Sequence, residues 1–226
     1  TDSIGTSFYF KLNGKPIFIK GANYIPQSSF LTDVNAEKYQ NLLMMSKEAH
    51  MNMLRVWGGG IYEQDLFYNL CDSLGILVWQ DMMFACSLYP TLEDEFINSV
   101  QEEITQNIKR LQKHPCIALW CGNNEVDVAW HNWGWQHQFG YSSEDSMTIW
   151  KGQQELFEYL IPGIIENLDK RPYIPSSPQS NWGIKENFNH GCMHYWDVWH
   201  GKKDIDAFKY HVGRFMAEYG FQSYPS

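Results

Sequence analysis

The chain has 226 residues, with 26 acidic against 17 basic side chains and a formal net charge of −9. That balance, with no basic cluster able to grip phosphates, argues against nucleic acid and anionic membrane surfaces as partners. Aromatic residues make up 16%, including 10 Trp and 13 Tyr; indoles suit the apolar faces of sugars as well as a large core, so a neutral ligand is the better expectation.

Strand-like and helix-like patterns alternate from the start, the order of βαβ units around a parallel sheet. Pro16 to Asn23 reads as the first strand, Asn35 to His50 as a helix, and Asn52 to Trp57 as a second strand running into Gly58-Gly59-Gly60. Leu66, Phe67, Leu70, Cys71 and Leu74 then share one face of a second helix. Gly75 stops it. Ile76 to Asp81 is a continuous apolar run, as expected of a strand covered on both faces. Ile97, Val100, Ile104, Ile108 and Leu111 mark the third helix, with Lys109, Arg110 and Lys113 near its negative end.

The fourth strand begins at Ile117 and ends at Glu125. From Val126 to Met147 the sequence shows Trp130, Trp133, Trp135, His131 and His137 but no regular period, and reads as a long aromatic loop. Leu156 to Leu168 gives a fourth helix bent by Pro162. Arg171 to Pro175, Cys192 to Trp196 and Phe215 to Glu218 complete seven strands, with nothing left to supply an eighth.

Glu125 and Glu218 stand out because each ends a short apolar run among polar and aromatic neighbours. A lone Glu after a strand is ordinarily a solvated loop residue. Two carboxylates brought into one cleft, however, are what glycosidic cleavage requires: one acid for the leaving oxygen, one carboxylate for the anomeric carbon. Other polar residues fall at the same strand ends: Asn23, Arg55, Trp57, Gln80, Asp81, Asn123, Asn124 and His194 to Asp197. An α/β barrel places its chemistry there. Alternation puts Arg55 and Trp57 on one side of their strand. A buried Arg needs an anion, and Glu218 is the candidate, an Arg partner favouring its ionised form; a purely structural ion pair is the competing reading.

Other chemistries fit less well. His190 and His194 are four apart near Asp197, but in an extended segment that spacing does not pair them, so no metal site is expected. The three glycines match no dinucleotide or phosphate loop and are read as a tight turn. There is no G-x-S-x-G elbow. Five cysteines, an odd number, lie at irregular spacing; Cys71, Cys116 and Cys121 fall in apolar segments and are expected to be buried thiols. No run of about 18 apolar residues suggests a membrane span, and no charged, then apolar, leader opens the chain. No Asn-x-Ser/Thr acceptor occurs, which weighs for a bacterial periplasmic or secreted protein over a lysosomal one.

Three strings, Arg55-Val56-Trp57-Gly58-Gly59-Gly60-Ile61-Tyr62-Glu63, Leu119-Trp120-Cys121-Gly122-Asn123-Asn124-Glu125 and Ala217-Glu218-Tyr219-Gly220-Phe221-Gln222-Ser223, together resemble the catalytic barrel of β-mannosidases in glycoside hydrolase family 2. The resemblance runs over nearly the whole chain, from Phe10-Lys11-Leu12-Asn13-Gly14-Lys15-Pro16 onward. It implies Glu125 as acid/base, Glu218 as nucleophile, Asn124 as the group that hydrogen-bonds the sugar 2-hydroxyl, and Arg55 as the residue orienting the nucleophile. It also implies that Trp57, Trp133, Trp182 and Tyr195 line the sugar subsite, and that no cofactor is needed.

The expectation is therefore one domain over residues 1–226, α/β, of the (β/α)8 TIM-barrel type and truncated after its seventh strand, without the family's flanking β-sandwich domains. It would be an exo-acting retaining glycosidase releasing terminal β-D-mannose from an oligosaccharide or glycoside, with self-association through the open sheet edges. Left open are a β-galactosidase or β-glucuronidase of the same family and a non-catalytic sugar-binding module.

Overall fold

The structure, a computed structural model, describes residues 1–181, 183 and 185–221. A short antiparallel hairpin, β1 (Phe10–Leu12) and β2 (Lys15–Ile17), opens the chain. The sequence pattern merges β2 with the next strand, but pairing restarts at β3 (Gly21–Tyr24). A five-stranded parallel sheet follows in strict chain order: β3, β4 (Met53–Val56), β5 (Leu77–Asp81), β6 (Ile117–Cys121) and β7 (Tyr173–Ile174). A second parallel sheet joins β8 (Ser180–Asn181), β9 (Cys192–Tyr195) and β10 (Phe215–Tyr219). The molecule is thus mixed α/β with parallel sheets.

The connecting helices follow from local chemistry. In α1 (Ala36–Glu48) the Asn35 side chain accepts from the Lys38 amide at 3.0 Å, satisfying one orphan donor of the first turn. α2 (Asp65–Leu74) ends at Gly75, in the left-handed conformation at φ 71°. α3 (Asp94–Leu111) buries Val100, Ile104, Ile108 and Leu111 on one stripe.

Besides the split between β2 and β3 and the short β8, which was not among the expected strands, two helical segments depart from the pattern read in the sequence. The stretch 126–147 is not a loop: it holds α4 (Val126–Asn132), α5 (Trp135–Gln138) and the start of α6 (Ser143–Gln154). The first two pieces span at most two turns, too short for a 3.6-residue period to emerge from a window of about eleven residues. The helix expected over 156–168 is instead continuous with α6, through a π-helical turn at Glu155–Leu160 into α7 (Ile161–Leu168). Pro162 has no amide to donate and its ring would crowd the carbonyl four residues back, and the widened turn just before it accommodates both.

Alternation along the strands separates two cores. Leu54, Val56, Val78 and Trp120 point outward into the layer formed by the helices, with α1 against α2 and α3 against α7. Met53, Trp79, Leu119, Cys121, Ile174 and Cys192 point the other way, into a cluster shared by both sheets and packed by Phe8, Phe10 and Phe215. Phe8 lies 5.7 Å from Trp79 and 5.0 Å from Phe215, ring centre to ring centre. The outermost strands meet as well: Asn23 Nδ2 donates to the Ala217 carbonyl at 3.0 Å, tying β3 to β10. Two residues further along β4 and β5 from Met53 and Trp79, on the same inward face, come Arg55 and Asp81. The inner core therefore ends in a polar layer at the C-terminal ends of the strands.

Candidate active site

Arg55 organises that layer. Its side chain is buried on β4, and its donors meet four acceptors: Nε and Nη2 bind the Asp81 carboxylate at 3.2 and 2.8 Å, Nη1 binds Glu218 Oε1 at 2.6 Å and Asn23 Oδ1 at 3.1 Å, and Nη2 also binds Asn124 Oδ1 at 2.8 Å. The guanidinium also sits 5.4 Å from the Trp79 ring centre. Burial pulls against the charge, but the carboxylates of Asp81 and Glu218 outweigh it and raise the affinity of Arg55 for its proton. Asp81 is fully buried and takes two further donors, Trp79 Nε1 at 2.9 Å and the Gly58 amide at 3.0 Å. Gly58 has no room for a side chain: a Cβ would lie 2.6 Å from the Phe84 carbonyl oxygen. Close backbone approach, with a donor for Asp81, is thus what Gly58 supplies within the Gly58-Gly59-Gly60 turn.

Glu218 reaches this network through a β-bulge. The register of β10 against β9 shifts between Met216 and Glu218, so that Glu218 pairs with His194. The extra residue turns Glu218 to the inner face. Its Oε2 accepts from Trp196 Nε1 at 3.0 Å and lies 3.3 Å from His194 Nδ1.

Glu125 does not end a strand. β6 stops at Cys121, and Glu125 caps α4 in a left-handed conformation at φ 63°. Backbone pairing persists around it: Glu125 N donates to Ser177 O at 2.8 Å, and Asn124 N to Phe84 O at 2.9 Å. Such a conformation is costly for a non-glycine residue and persists where its surroundings over-determine it. The side chain is 13% exposed. His194 Nδ1 lies 2.8 Å from Glu125 Oε1, and Ser177 Oγ lies 2.9 Å from His194 Nε2, so the imidazole is held from both ends. Cys86, itself at φ 48°, places Sγ 3.4 Å from Glu125 Oε2 and 3.3 Å from Asn124 Nδ2. Although Cys86 as a residue is exposed, its thiol is partly desolvated against Glu125, and this with the Glu125 charge pushes it up to about 12, so it stays protonated and donates to the carboxylate. Burial raises the Glu125 carboxyl, but the bond and charge of His194, with Cys86 and Arg55 adding to them, bring it net below the usual value.

Four of the residues expected from the sequence thus converge: Glu125, Glu218, Asn124 and Arg55. Among the described residues, no side-chain hydrogen bond ties Trp57 or Trp133 to that cluster. Trp57 is half-buried just after β4, its ring against Gly59. Trp133 ends α4, 46% exposed and edge-on to Trp135. Tyr195 is buried, stacked on His211 at 5.2 Å. Trp182 lies outside the described residues. His194, Trp196, Asp81 and Cys86 complete the site without having been given a catalytic or sugar-binding role. The first three were visible as polar or aromatic residues at strand ends; nothing in the sequence marked Cys86.

Among the described residues, Glu125, His194 and Glu218 offer three ligand atoms within 4.8 Å of one another. His190 and Asp197 do not join them, and His190 Nδ1 instead lies 3.2 Å from Thr6 Oγ1. A cation among these atoms would face the Arg55 guanidinium across Glu218, which disfavours it. All five cysteines are free, Cys71, Cys116, Cys121 and Cys192 buried and Cys86 exposed. No helix among the described residues is long and apolar enough to cross a membrane.

No family model matches the chain. Over its whole length it is 45% identical to "Beta-mannosidase" of Rattus norvegicus, of which it covers 26%. It is 36% identical over 99% of its length to "Beta-mannosidase B" of Emericella nidulans, covering 27% of that protein. The crystal structure of a β-D-mannosidase from Dictyoglomus thermophilum matches all of the chain at 45% identity and a TM-score of 0.86, with 26% of that chain covered. A β-glucuronidase from Bacteroides uniformis shares the fold at 16% identity and a TM-score of 0.61. The chain thus spans about a quarter of the length of the β-mannosidases it resembles.

Proposed function

We propose that residues 1–226 are the catalytic barrel domain of a retaining exo-β-mannosidase of glycoside hydrolase family 2. The observation that carries this reading is the meeting of Glu125 and Glu218, from segments 93 residues apart (218 − 125), with ligand oxygens within 4.8 Å of one another. That closeness is nearer to the roughly 5–5.5 Å between the carboxyl groups of a retaining pair than to the about 6.5–9.5 Å of an inverting one. The two parallel sheets around one inner cluster, joined from β3 to β10, support arcs of a (β/α)8-type barrel.

In the first step Glu218 attacks the anomeric carbon. Arg55 and Trp196 bind one oxygen each, fixing the carboxylate's orientation. Glu125 gives its proton to the glycosidic oxygen as that bond breaks. In the second step the ionised Glu125 takes a proton from water, which displaces Glu218 and frees the sugar with its configuration retained. Asn124, whose Oδ1 is held by Arg55 and whose Nδ2 donates one hydrogen to Cys86 Sγ at 3.3 Å, keeps a second amide hydrogen for the 2-hydroxyl. These steps use only the chain's own acid, base and nucleophile.

The test is turnover by the full-length polypeptide on a panel of nitrophenyl glycosides, with the anomer first released read by NMR. Release of β-mannose, with galactoside, glucoside and glucuronide left largely intact, is the expected result. Release of α-mannose, or preference for another glycone, overturns the reading.

A further inference from the structure

A cavity of about 20 Å³, room for one ion or water, lies between the first turn of α4 and the junction of α6 with the π-helical turn. Three side chains with oxygen donors line it: the carboxylates of Asp127 and Glu158 and the amide of Gln153. The π-helical turn accounts for their meeting. Five residues apart, Gln153 and Glu158 would lie on different faces of an α-helix, and the widened turn brings both to one cavity.

Gln153 is 1% exposed, and its amide is fixed in one orientation. Nε2 donates to the Tyr89 carbonyl at 3.0 Å and to Thr91 Oγ1 at 3.1 Å, and neither of those residues lines the cavity. The amide oxygen therefore points the other way, into the cavity, and among the described residues no donor reaches it. A buried acceptor without a donor is costly. Asp127 is similarly placed: burial raises its carboxyl, His131 offsets part of that, the Glu158 charge adds to it, and no hydrogen bond eases the charge. No Lys or Arg lines the cavity, so neither carboxylate meets a counter-ion there. Glu218, by contrast, is neutralised by the Arg55 guanidinium.

We infer that this cavity binds one hard metal cation, and that calcium is the ion its chemistry suits. Two carboxylates and an amide carbonyl are oxygen ligands that calcium accepts at about 2.3–2.6 Å in irregular geometry, with water completing the shell. Magnesium demands a near-ideal octahedron and dehydrates reluctantly. No His or Cys lines the cavity, which disfavours zinc and copper. The cation supplies the positive partner that Asp127, Glu158 and Gln153 all lack. It also sits behind the turn that carries Glu125, because Asn123 lines the same cavity and its Oδ1 accepts from the Val126 amide at 3.1 Å and from Ser176 Oγ at 2.7 Å. The ion thus joins α4 to α6 beneath residues 123–126 and acts on stability, not on bond making.

Trp150, which lines the cavity, supplies a direct readout, since an indole passes its excitation to terbium bound close by. The full-length polypeptide is stripped with EDTA, and terbium luminescence under tryptophan excitation and the thermal midpoint with added calcium are measured for wild type, Asp127→Asn and Glu158→Gln. Both substitutions keep shape while removing charge, and Glu158 is exposed, so its replacement leaves the fold intact. Wild type should give terbium luminescence that excess calcium displaces, and a midpoint that calcium raises by several degrees. Each variant should bind about tenfold more weakly or worse and lose most of that rise. No sensitised luminescence in wild type, or signals unchanged in both variants, overturn the inference. A signal kept by both variants but lost in Glu125→Gln would place the ion on the catalytic carboxylates and overturn it equally. A midpoint raised by Asp127→Asn, with no response of wild type to calcium, would show that a proton or water fills the cavity and not a metal. None of these readouts requires turnover, so the result stands apart from the glycosidase reading.

Discussion

Arg55 Nη1 and Glu218 Oε1 meet at 2.6 Å across 163 residues of sequence, and both side chains are buried. An Arg held by two carboxylates, Asp81 and Glu218, sits in a site that tolerates neither loss of charge nor loss of its forked geometry. Arg55→Ala should destabilise by about 3–5 kcal/mol, because it strands two buried carboxylates. Arg55→Lys should fold yet lose the paired bonds to Asp81, with kcat/KM on an aryl β-mannoside down by about a hundredfold or more. Denaturant unfolding and steady-state kinetics on both variants check this; near-wild-type rates for the lysine variant would show that the guanidinium does not orient Glu218.

The two glutamates should fail differently. Glu218→Ala is expected to abolish turnover on every mannoside, since no nucleophile remains. Glu125→Ala should keep measurable activity on aryl mannosides with good leaving groups, and azide should accelerate it and yield a mannosyl azide. Loss of equal size from both changes, without azide rescue, would reverse or remove the assignments.

The pH dependence has a definite sign. Glu125 must be protonated to act as acid, and its carboxyl lies below the usual value, so kcat/KM for alkyl mannosides should fall as pH rises through that pKa. His194 charge lowers it, hence His194→Gln, which retains a donor without a charge, should raise it and move the alkaline limb to higher pH. Cys86→Ala removes another lowering contact and should move the limb the same way. The groups facing Glu125 are His194, Cys86, Arg55 and Glu218. A limb that stays in place or moves down in His194→Gln, measured from kcat/KM profiles, contradicts this account.

Discrimination at the 2-position should depend on Asn124. Its Oδ1 is fixed by Arg55 and one Nδ2 hydrogen goes to Cys86 Sγ at 3.3 Å, so on the proposed role the second Nδ2 hydrogen reads the axial 2-hydroxyl of mannose. A site that hydrogen-bonds this group should reject the glucoside, whose equatorial hydroxyl leaves the donor unpaired. Asn124→Ala is expected to lower kcat on mannosides and to narrow the mannoside-to-glucoside ratio of kcat/KM. A wild-type ratio near one, or a ratio unchanged in the variant, would count against this role.

The sequence alone carried the alternation of strands and helices and most strand positions, because long apolar runs such as Ile76–Asp81 and striped helices such as α3 announce their burial locally. It also brought forward Glu125, Glu218, Asn124 and the Arg55–Glu218 pairing, through motif strings and the rule that a buried Arg needs an anion. It misread 126–147, where short helical turns leave no period, and it placed Glu125 at a strand end when a left-handed turn and a helix start hold it. What only the tertiary structure decided are relations between distant segments. The bulge at Met216/Glu218 brings Glu218 beside His194, and Ser177 and Glu125 hold that imidazole between them. Cys86 arrives from the turn after β5 to touch Glu125. A hydrogen bond depends on ångströms between side chains many residues apart, and no local pattern of residue types records that distance.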